Sequence, residues 1–335
     1  MKLHQPTQLL NNETCIIDAV ALLKAGECVA LPTETVYGLA ADATNANAVA
    51  KIFTAKGRPT NHPLIVHIPD KTHMQQWAKD ISDSAITLAN AFWPGPLTLI
   101  LNAKDNLNSP VTGGLPTIGL RVPAHPQFLA ILKQLNTGLA APSANRYKQL
   151  SPINAAHVMG DLNGRISAVL EGGQCDVGIE STIVDATTDQ LRILRPGPIN
   201  AADILQKTGL NVATPLAHNE VVPGNVKAHY QPHAPAILIN TDDFDSHLSK
   251  ITDEQVQYLI YSTAAQQHLL ASHIAPHRIT KLSSCPVEYA KNMYKTLHLV
   301  DETSPTVIYI EKPPVNVEWA AVNDRLNRAT TVYKE

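Results

Sequence analysis

Apolar residues recur at helical spacing from Ile16 to Lys24, Gly26 closes that segment, and Cys28-Val29-Ala30-Leu31 reads as a short buried strand ending at Pro32. The polar stretch Pro32-Thr33-Glu34-Thr35-Val36-Tyr37-Gly38-Leu39 is expected as a loop. It leads to a helix from about Asn45 to Ala55, where Ala48, Val49, Ile52 and Phe53 share one face. Lys56-Gly57-Arg58-Pro59 ends it. Next come a strand at Leu64 to Ile68, a helix from about Ser82 to Phe92 stopped by Pro94-Gly95-Pro96, and a strand at Leu97 to Leu101. Ile118 to Val122 and Gly138 to Ala141 read as short strands and Ala155 to Met159 as a helix. Thr182 to Asp185 and Leu191 to Leu194 read as a hairpin pair, and Ala201 to Thr208 as a helix. Helix and strand signals alternate, which predicts an α/β domain.

From Asn211 to Pro235 neither period is clear, while Pro215, Pro223, Gly224, Pro232 and Pro235 recur, so this stretch is expected as a linker. Beyond it Ala236 to Asn240, Gln257 to Tyr261 and Thr306 to Ile310 are strand-like, and Val287 to Val300 and Val317 to Ala329 helix-like. Strands separated by helices predict a small parallel-sheet domain, Rossmann-like in class. The expected organisation is a catalytic-sized domain over 13–205, a linker over 206–235 and an α/β domain over 236–335. No internal repeat interrupts this order.

Composition narrows the function classes. The chain has 335 residues, 44% hydrophobic and 16% charged, enough to bury two cores at roughly 100–200 residues per domain. Residues 1–210 carry 16 basic and 16 acidic side chains, leaving 10 against 13 afterwards, so neither half is a polybasic arm. Nonspecific phosphate-backbone binding is disfavoured and a small-molecule enzyme is favoured. Cys15, Cys28, Cys175 and Cys285 show no CxxC spacing, which argues against a zinc site and a disulfide framework and points to a reducing compartment. The N-terminus lacks a signal-peptide core, and no stretch approaches the roughly 18 apolar residues of a membrane span. The expectation is a soluble cytoplasmic protein that does not engage membranes.

No GxxxxGK[ST], GxGxxG or GxSxG is present, so a bound nucleotide must be held by side chains from several loops. Lys56 and Arg58, with Gly57 between them, suit a polyphosphate, although on spacing alone a basic pair at a helix C-terminus more often complements the helix dipole. The turns Ala141-Pro142-Ser143-Ala144-Asn145 and Gly178-Ile179-Glu180-Ser181-Thr182 suit recognition of a phosphate or an amino acid, or serve local backbone bonds. Arg121 and Arg195 sit in or just after apolar strands, where each guanidinium needs an anionic partner, either ligand or carboxylate. His229 and His233 are four apart, but Pro232 argues against a helix that would align them on a metal, and no metal site is expected. His62 and His67 read as loop or structural residues. Tyr37 either packs over a ligand or covers the core.

Taken together, Leu31 to Leu39, Lys56-Gly57-Arg58-Pro59 and Pro63-Leu64-Ile65-Val66-His67 resemble the YrdC-like family. Trp93-Pro94-Gly95-Pro96-Leu97-Thr98, Gly119-Leu120-Arg121-Val122-Pro123, Ser143-Ala144-Asn145, Gly178 to Asp185 and Leu194-Arg195-Pro196-Gly197 follow in the family's order. Pro223-Gly224, His229-Tyr230-Gln231-Pro232 and the C-terminal domain resemble its long two-domain threonylcarbamoyl-AMP synthases. The resemblance implies an open twisted mixed sheet with a large concave cavity, and a nucleotidyltransferase reaction. L-threonine, bicarbonate and ATP would give L-threonylcarbamoyladenylate and pyrophosphate, with Mg2+ on the ATP. The product would feed tRNA threonylcarbamoyladenosine modification beside the anticodon through a downstream transfer machinery. Whether tRNA binds directly stays open.

By match to the family's motifs, Thr35, His67, Arg121, the backbone at Ala141 and Ser181 would hold threonine. Lys56, Arg58, His62, Thr117, Ser143, Asn145, Ser151, Arg195 and Tyr230 would surround ATP, with Lys56 and Arg58 as the catalytic cations. His62 departs from the family, whose loop more often has Asn before the Pro-Leu pair. The helix around Asp324 to Ala329 resembles the family only loosely. The linker is expected to fold over the cavity as a lid that places Tyr230 on the nucleotide. Two other readings are a double-stranded RNA binding module, which near-neutral charge disfavours, and a hydrogenase-maturation carbamoyltransferase, which would add Cys clusters absent here.

Overall fold

Several first-unit helices start where a polar side chain satisfies free backbone N–H groups. Asn45 accepts from Asn47 and Ala48 at the head of helix Ala46–Lys56, Ser82 accepts from Ala85 before Asp83–Phe92, and Asn200 forms a capping box with Asp203 before Ala201–Thr208. Helix Ala46–Lys56 stops at Gly57, whose φ of 65° is the left-handed conformation that glycine adopts without strain. The structure is a computed structural model that describes residues 6–332 except 106, 108, 216–219, 221, 225–227 and 249–252. The expected linker therefore lies partly outside the described residues. The chain divides into two compact units, Met1–Tyr147 with Ser151–Asn225, and Lys148–Leu150 with Val226–Glu335.

Among the described residues the first unit holds a ten-stranded mixed sheet. Its strands are β1 (Gln8–Leu10), β2 (Val29–Leu31), β3 (Gly38–Asp42), β4 (Ile65–His67), β5 (Leu97–Asn102), β6 (Thr117–Arg121), β7 (Leu139–Ala140), β8 (Ala168–Leu170), β9 (Thr182–Asp185) and β10 (Arg192–Arg195). They lie in the order β1-β8-β2-β3-β7-β4-β6-β5-β9-β10. The mixed α/β expectation holds.

Strand β3 corrects the loop expected through Leu39. Gly38, Leu39, Ala40 and Ala41 are buried small or apolar residues without alternation, and antiparallel pairing with β2 and β7 makes them a strand. Helix Pro126–Leu135 and strand β8 also lie outside the segments expected above, although Phe128, Ile131, Leu132 and Leu135 carry a helical period.

Register decides which side chains share a face, because directly opposed residues of neighbouring strands point the same way. The pairs Ile65↔Gly119, His67↔Arg121, Ile100↔Gly119, Thr98↔Ile183 and Arg195↔Ile183 put these residues on one face. On the β1 to β7 half, that face is covered by helices Cys15–Lys24 and Pro126–Leu135. Their Ala19, Val20, Leu23, Phe128, Ile131 and Leu132 pack with Val29, Leu31, Ala40, Leu139, Ala141 and Leu170. On the other half Ile65, Ile100 and Ile183 share that face with the polar and charged His67, Thr98, Thr117, Arg121 and Arg195. The opposite face is apolar there, with Val66, Leu99, Leu120 and Val184 fully buried.

The second unit's sheet contains β11 (Ala236–Ile239), β12 (Val256–Ile260), β13 (Ile279–Lys281), β14 (Val307–Glu311) and β15 (Thr331–Val332), in the order β13-β12-β14-β11-β15. Every pairing is parallel, as expected for a Rossmann-like domain. Helix Thr263–Ala271 and β13 were not among the expected elements. Neighbours β12 and β14 send the chain to opposite sides, which makes the gap beyond their C-terminal ends the topological switch point. Glu311 fills it. Fully buried, its carboxylate accepts from Tyr261 N at 2.8 Å, Ser262 N at 2.9 Å and Thr241 Oγ1 at 2.9 Å. Ser262 caps helix Thr263–Ala271, so the chain's own carboxylate occupies the position where such folds receive anions.

Candidate active site on the sheet face

The polar half of the face is built from strand ends and three loops. His67, last in β4, is buried and stacked on Phe128, with ring centroids 5.2 Å apart. Burial, and secondly the Arg121 charge, hold its pKa well below the usual histidine value, so the ring is neutral at physiological pH. Arg121, opposite it at the end of β6, is the strand arginine that required a partner. Its Nη2 lies 2.6 Å from Glu34 Oε1 and its Nε donates to Gly95 O at 3.2 Å. Glu34 Oε2 accepts from Ala124 N at 3.0 Å.

Glu34 comes from the loop between β2 and β3, shaped by its own threonines. Thr33 Oγ1 accepts from the N–H groups of Thr35 and Val36, at 3.0 and 3.1 Å, and lies 2.8 Å from Thr35 Oγ1. Tyr37 settles in the core: fully buried, its hydroxyl donates to Gly173 O and accepts from Gly172 N. Ala141 N donates to Ile65 O at 3.1 Å, which fixes the backbone beside the Ala141 carbonyl. A Cβ at Gly38 would lie 3.2 Å from Ala141 Cβ and 3.5 Å from that carbonyl oxygen.

Ser181 precedes β9, its hydroxyl 2.8 Å from Thr98 Oγ1. Arg195 Nε and Nη2 donate to Ser181 O at 3.1 and 2.9 Å, and Nη2 also reaches Ser181 Oγ at 3.1 Å. This contact depends on a bulge: β10 slips by one residue between Ile193 and Arg195, so Arg195 instead of Leu194 stands opposite Ile183. Without the extra residue Arg195 would point to the apolar face. Arg195 Nη1 donates to Pro223 O at 2.9 Å, and Val222 packs on Ile65, Ile100, Ile183 and Leu194, so this part of the connecting segment lies over the same face.

At the other end of β4, the expected phosphate residues gather. Lys56 is the last residue of its helix and is 3% exposed. Its Nζ lies 2.5 Å from both Ser143 O and Asn145 O, and 3.5 Å from Asn145 Oδ1. Burial and then the Arg58 charge lower its pKa well below the usual lysine value. Arg58 Nη2 donates to Pro63 O at 3.1 Å. His62 meets Tyr147 edge-on at 5.7 Å, and burial with the Arg58 charge lowers its pKa. Ser151 Oγ donates to the buried Glu180 Oε1 at 2.5 Å. Thr117 opens β6, on the same face as Arg121 but four residues away.

The structure thus joins Lys56 to Ser143 and Asn145, His67 to Arg121, and Ser181 to Arg195. Tyr230 belongs to the second unit. There it adopts φ 61°, is 1% exposed, and packs near Tyr294 and under the Arg325 guanidinium, 5.5 Å from its ring. Glu34, Thr98 and Glu180 were not among the expected contacts. Glu34, Thr98 and Glu180 each stand inside one of the quoted motifs, which point to the family but not to these contacts. Among the described residues no group of three His, Cys, Asp or Glu side chains is arranged to hold a metal, and no helix is long and apolar enough to cross a membrane.

Comparison with known proteins places this geometry. The Sua5/YciO/YrdC family, described as telomere recombination, matches residues 21–197, and the threonylcarbamoyl-AMP synthase C-terminal domain family matches 189–331. The threonylcarbamoyl-AMP synthase of Pyrococcus abyssi is 34% identical over 323 residues, 93% of each chain. That of Bacillus subtilis is 45% identical over 236 residues, 69% of this chain and 68% of its own. The crystal structure of P. abyssi Sua5 complexed with L-threonine superposes with a TM-score of 0.82 at 32% identity, covering 98% of this chain and 99% of that one.

Proposed function

The chain belongs to the threonylcarbamoyl-AMP synthase family, and from that premise we propose that it condenses L-threonine, bicarbonate and ATP into L-threonylcarbamoyladenylate and pyrophosphate for tRNA modification. The observation that carries this reading is the assembly of Arg121, His67, Ser181 and Arg195 on one sheet face, with the Lys56 cluster at its end.

In this reading the threonine amine attacks carbon dioxide with release of a proton, or bicarbonate with loss of water, to form a carbamate. A carbamate oxygen then attacks the α-phosphorus of ATP and pyrophosphate leaves, which makes the enzyme a nucleotidyltransferase. No protein nucleophile is needed; positioning, charge neutralisation and exclusion of water are. Arg121 takes the threonine carboxylate. Thr35, Ser181, the Ala141 carbonyl and neutral His67 hold the hydroxyl and amine. Arg58, His62, Thr117, Ser151 and Arg195 surround ATP. Lys56 holds the Ser143 to Asn145 turn from which both residues face the nucleotide.

Mg2+ fits as an ion carried by ATP's own phosphate oxygens, because the described residues offer cations and hydroxyls around that end of the site instead of a carboxylate cage. When bound it supplies further charge neutralisation on the phosphates. The downstream acceptor is the tRNA threonylcarbamoyl-transfer machinery, in the cytoplasm.

The test is pyrophosphate release by the purified protein with ATP, Mg2+, bicarbonate and L-threonine, against reactions lacking threonine or bicarbonate, with mass spectrometry for the adenylate. Release that requires both small substrates is expected. A folded protein with no threonine-dependent release refutes the reading.

A further inference from the structure

Arg121 is oriented by Glu34, and we propose that Glu34 is the positioning residue for the amino-acid carboxylate, an inference that rests on the function proposed above. The Arg121 side chain is 5% exposed and that of Glu34 10%. A guanidinium this deep needs a compensating anion, and the 2.6 Å contact to Glu34 Oε1 supplies it. The contact also sets direction. Gly95 O holds Nε and Glu34 holds Nη2, while among the described residues no acceptor lies on Nη1. One side of the planar fork is thereby occupied by protein. Its remaining donors are left for a second carboxylate, the geometry in which a guanidinium binds strongly.

Glu34 is itself fixed at three points. Oε1 meets Arg121, Oε2 accepts from Ala124 N, and its backbone carbonyl accepts from Val177 N at 2.8 Å. Its chain neighbour Thr35 carries the hydroxyl assigned to the same ligand, and both sit in the turn organised by Thr33. One short loop therefore fixes the carboxylate-binding fork and a side-chain contact together. The sequence signal is only an acid between two threonines. The role appears once β6 delivers Arg121 beneath that loop.

The experiment uses the full chain with Glu34→Gln, which keeps the shape and loses the charge, and Glu34→Asp, which keeps the charge and retracts it. Steady-state pyrophosphate release is measured with threonine and ATP varied separately, and L-threonine binding is titrated calorimetrically. Glu34→Gln is expected to raise the threonine KM and dissociation constant about tenfold or more, leave the ATP KM within about twofold, and keep the native circular dichroism spectrum. Glu34→Asp is expected to fall between it and the parent. An unchanged threonine affinity in folded Glu34→Gln, or an equal rise in both KM values, overturns the proposal. If the parent chain binds threonine yet releases no pyrophosphate, the functional reading fails while the calorimetric comparison still decides the role of Glu34.

Discussion

The Lys56 ammonium and Asn145 form a single knot, with Nζ 2.5 Å from the Asn145 carbonyl and 3.5 Å from its side-chain oxygen, and a further contact to Ser143 O at 2.5 Å. The lysine expected to meet phosphate thus also holds the turn that carries two other expected nucleotide contacts. Its three N–H groups face protein oxygens, and its charge is buried.

That double duty gives a Lys56 substitution two readable effects. Lys56→Ala should abolish adenylate formation and also cost roughly 2–3 kcal/mol of stability, because buried carbonyls lose their donor. Arg58→Ala, which removes a donor to Pro63 O, should also abolish activity. Urea unfolding alongside pyrophosphate release checks both. An unchanged unfolding midpoint in Lys56→Ala would refute its hold on the turn, and full activity in both variants would refute the phosphate-site assignment.

His67 should make the protein acid-sensitive. Its native pKa is held well below 6.5 by burial and by Arg121. As pH falls below about 6.5 the unfolded chain takes up a proton that the native state refuses, so stability drops by up to about 1.4 kcal/mol per pH unit. His62, lowered for related reasons, adds to the slope. Stability measured from about pH 7.5 to 5 should fall less steeply in His67→Asn than in the parent. Identical slopes would show that the imidazole titrates normally.

In the second unit, Glu311→Ala strands two backbone N–H groups and a hydroxyl, for an expected loss of about 2–4 kcal/mol. Glu311→Gln retains an acceptor and should lose less. Equilibrium unfolding of the full chain decides it, and an unchanged midpoint in Glu311→Ala would mean the donors find other partners.

Thiol chemistry should divide the four free cysteines. Burial pushes Cys28 and Cys175 up to about 12, while Cys285 is exposed and Cys15 half-buried. N-ethylmaleimide at neutral pH should label Cys285 first and reach Cys28 and Cys175 only on unfolding. Peptide mass spectrometry reads the order, and early labelling of Cys175 would contradict its placement.

Much of the architecture was legible because it is local. The period through Ile16 to Lys24, the stop at Gly57 and the uncapped apolar runs of the second unit each follow from neighbours in sequence, and the parallel sheet followed from their alternation. Strand β3 was not legible, since Gly38 to Asp42 has no alternation and becomes a strand only between β2 and β7. The motifs identified the family, and through it the residues to ask about, but not what those residues touch.

The sequence by itself determined the helix stop at Gly57, several strand candidates, the family and the chemistry available at Arg121, Arg195, Lys56 and His67. Tertiary structure alone decided that a bulge turns Arg195 toward Ser181, that Glu34 takes one side of the Arg121 fork, that Lys56 grips the Ser143 to Asn145 turn, and that Glu311 fills the second unit's switch point. The division has one physical cause. Helix periods and caps act over three or four residues, whereas the face a strand residue occupies, and the partner a buried charge must find, are set by register between segments distant along the chain.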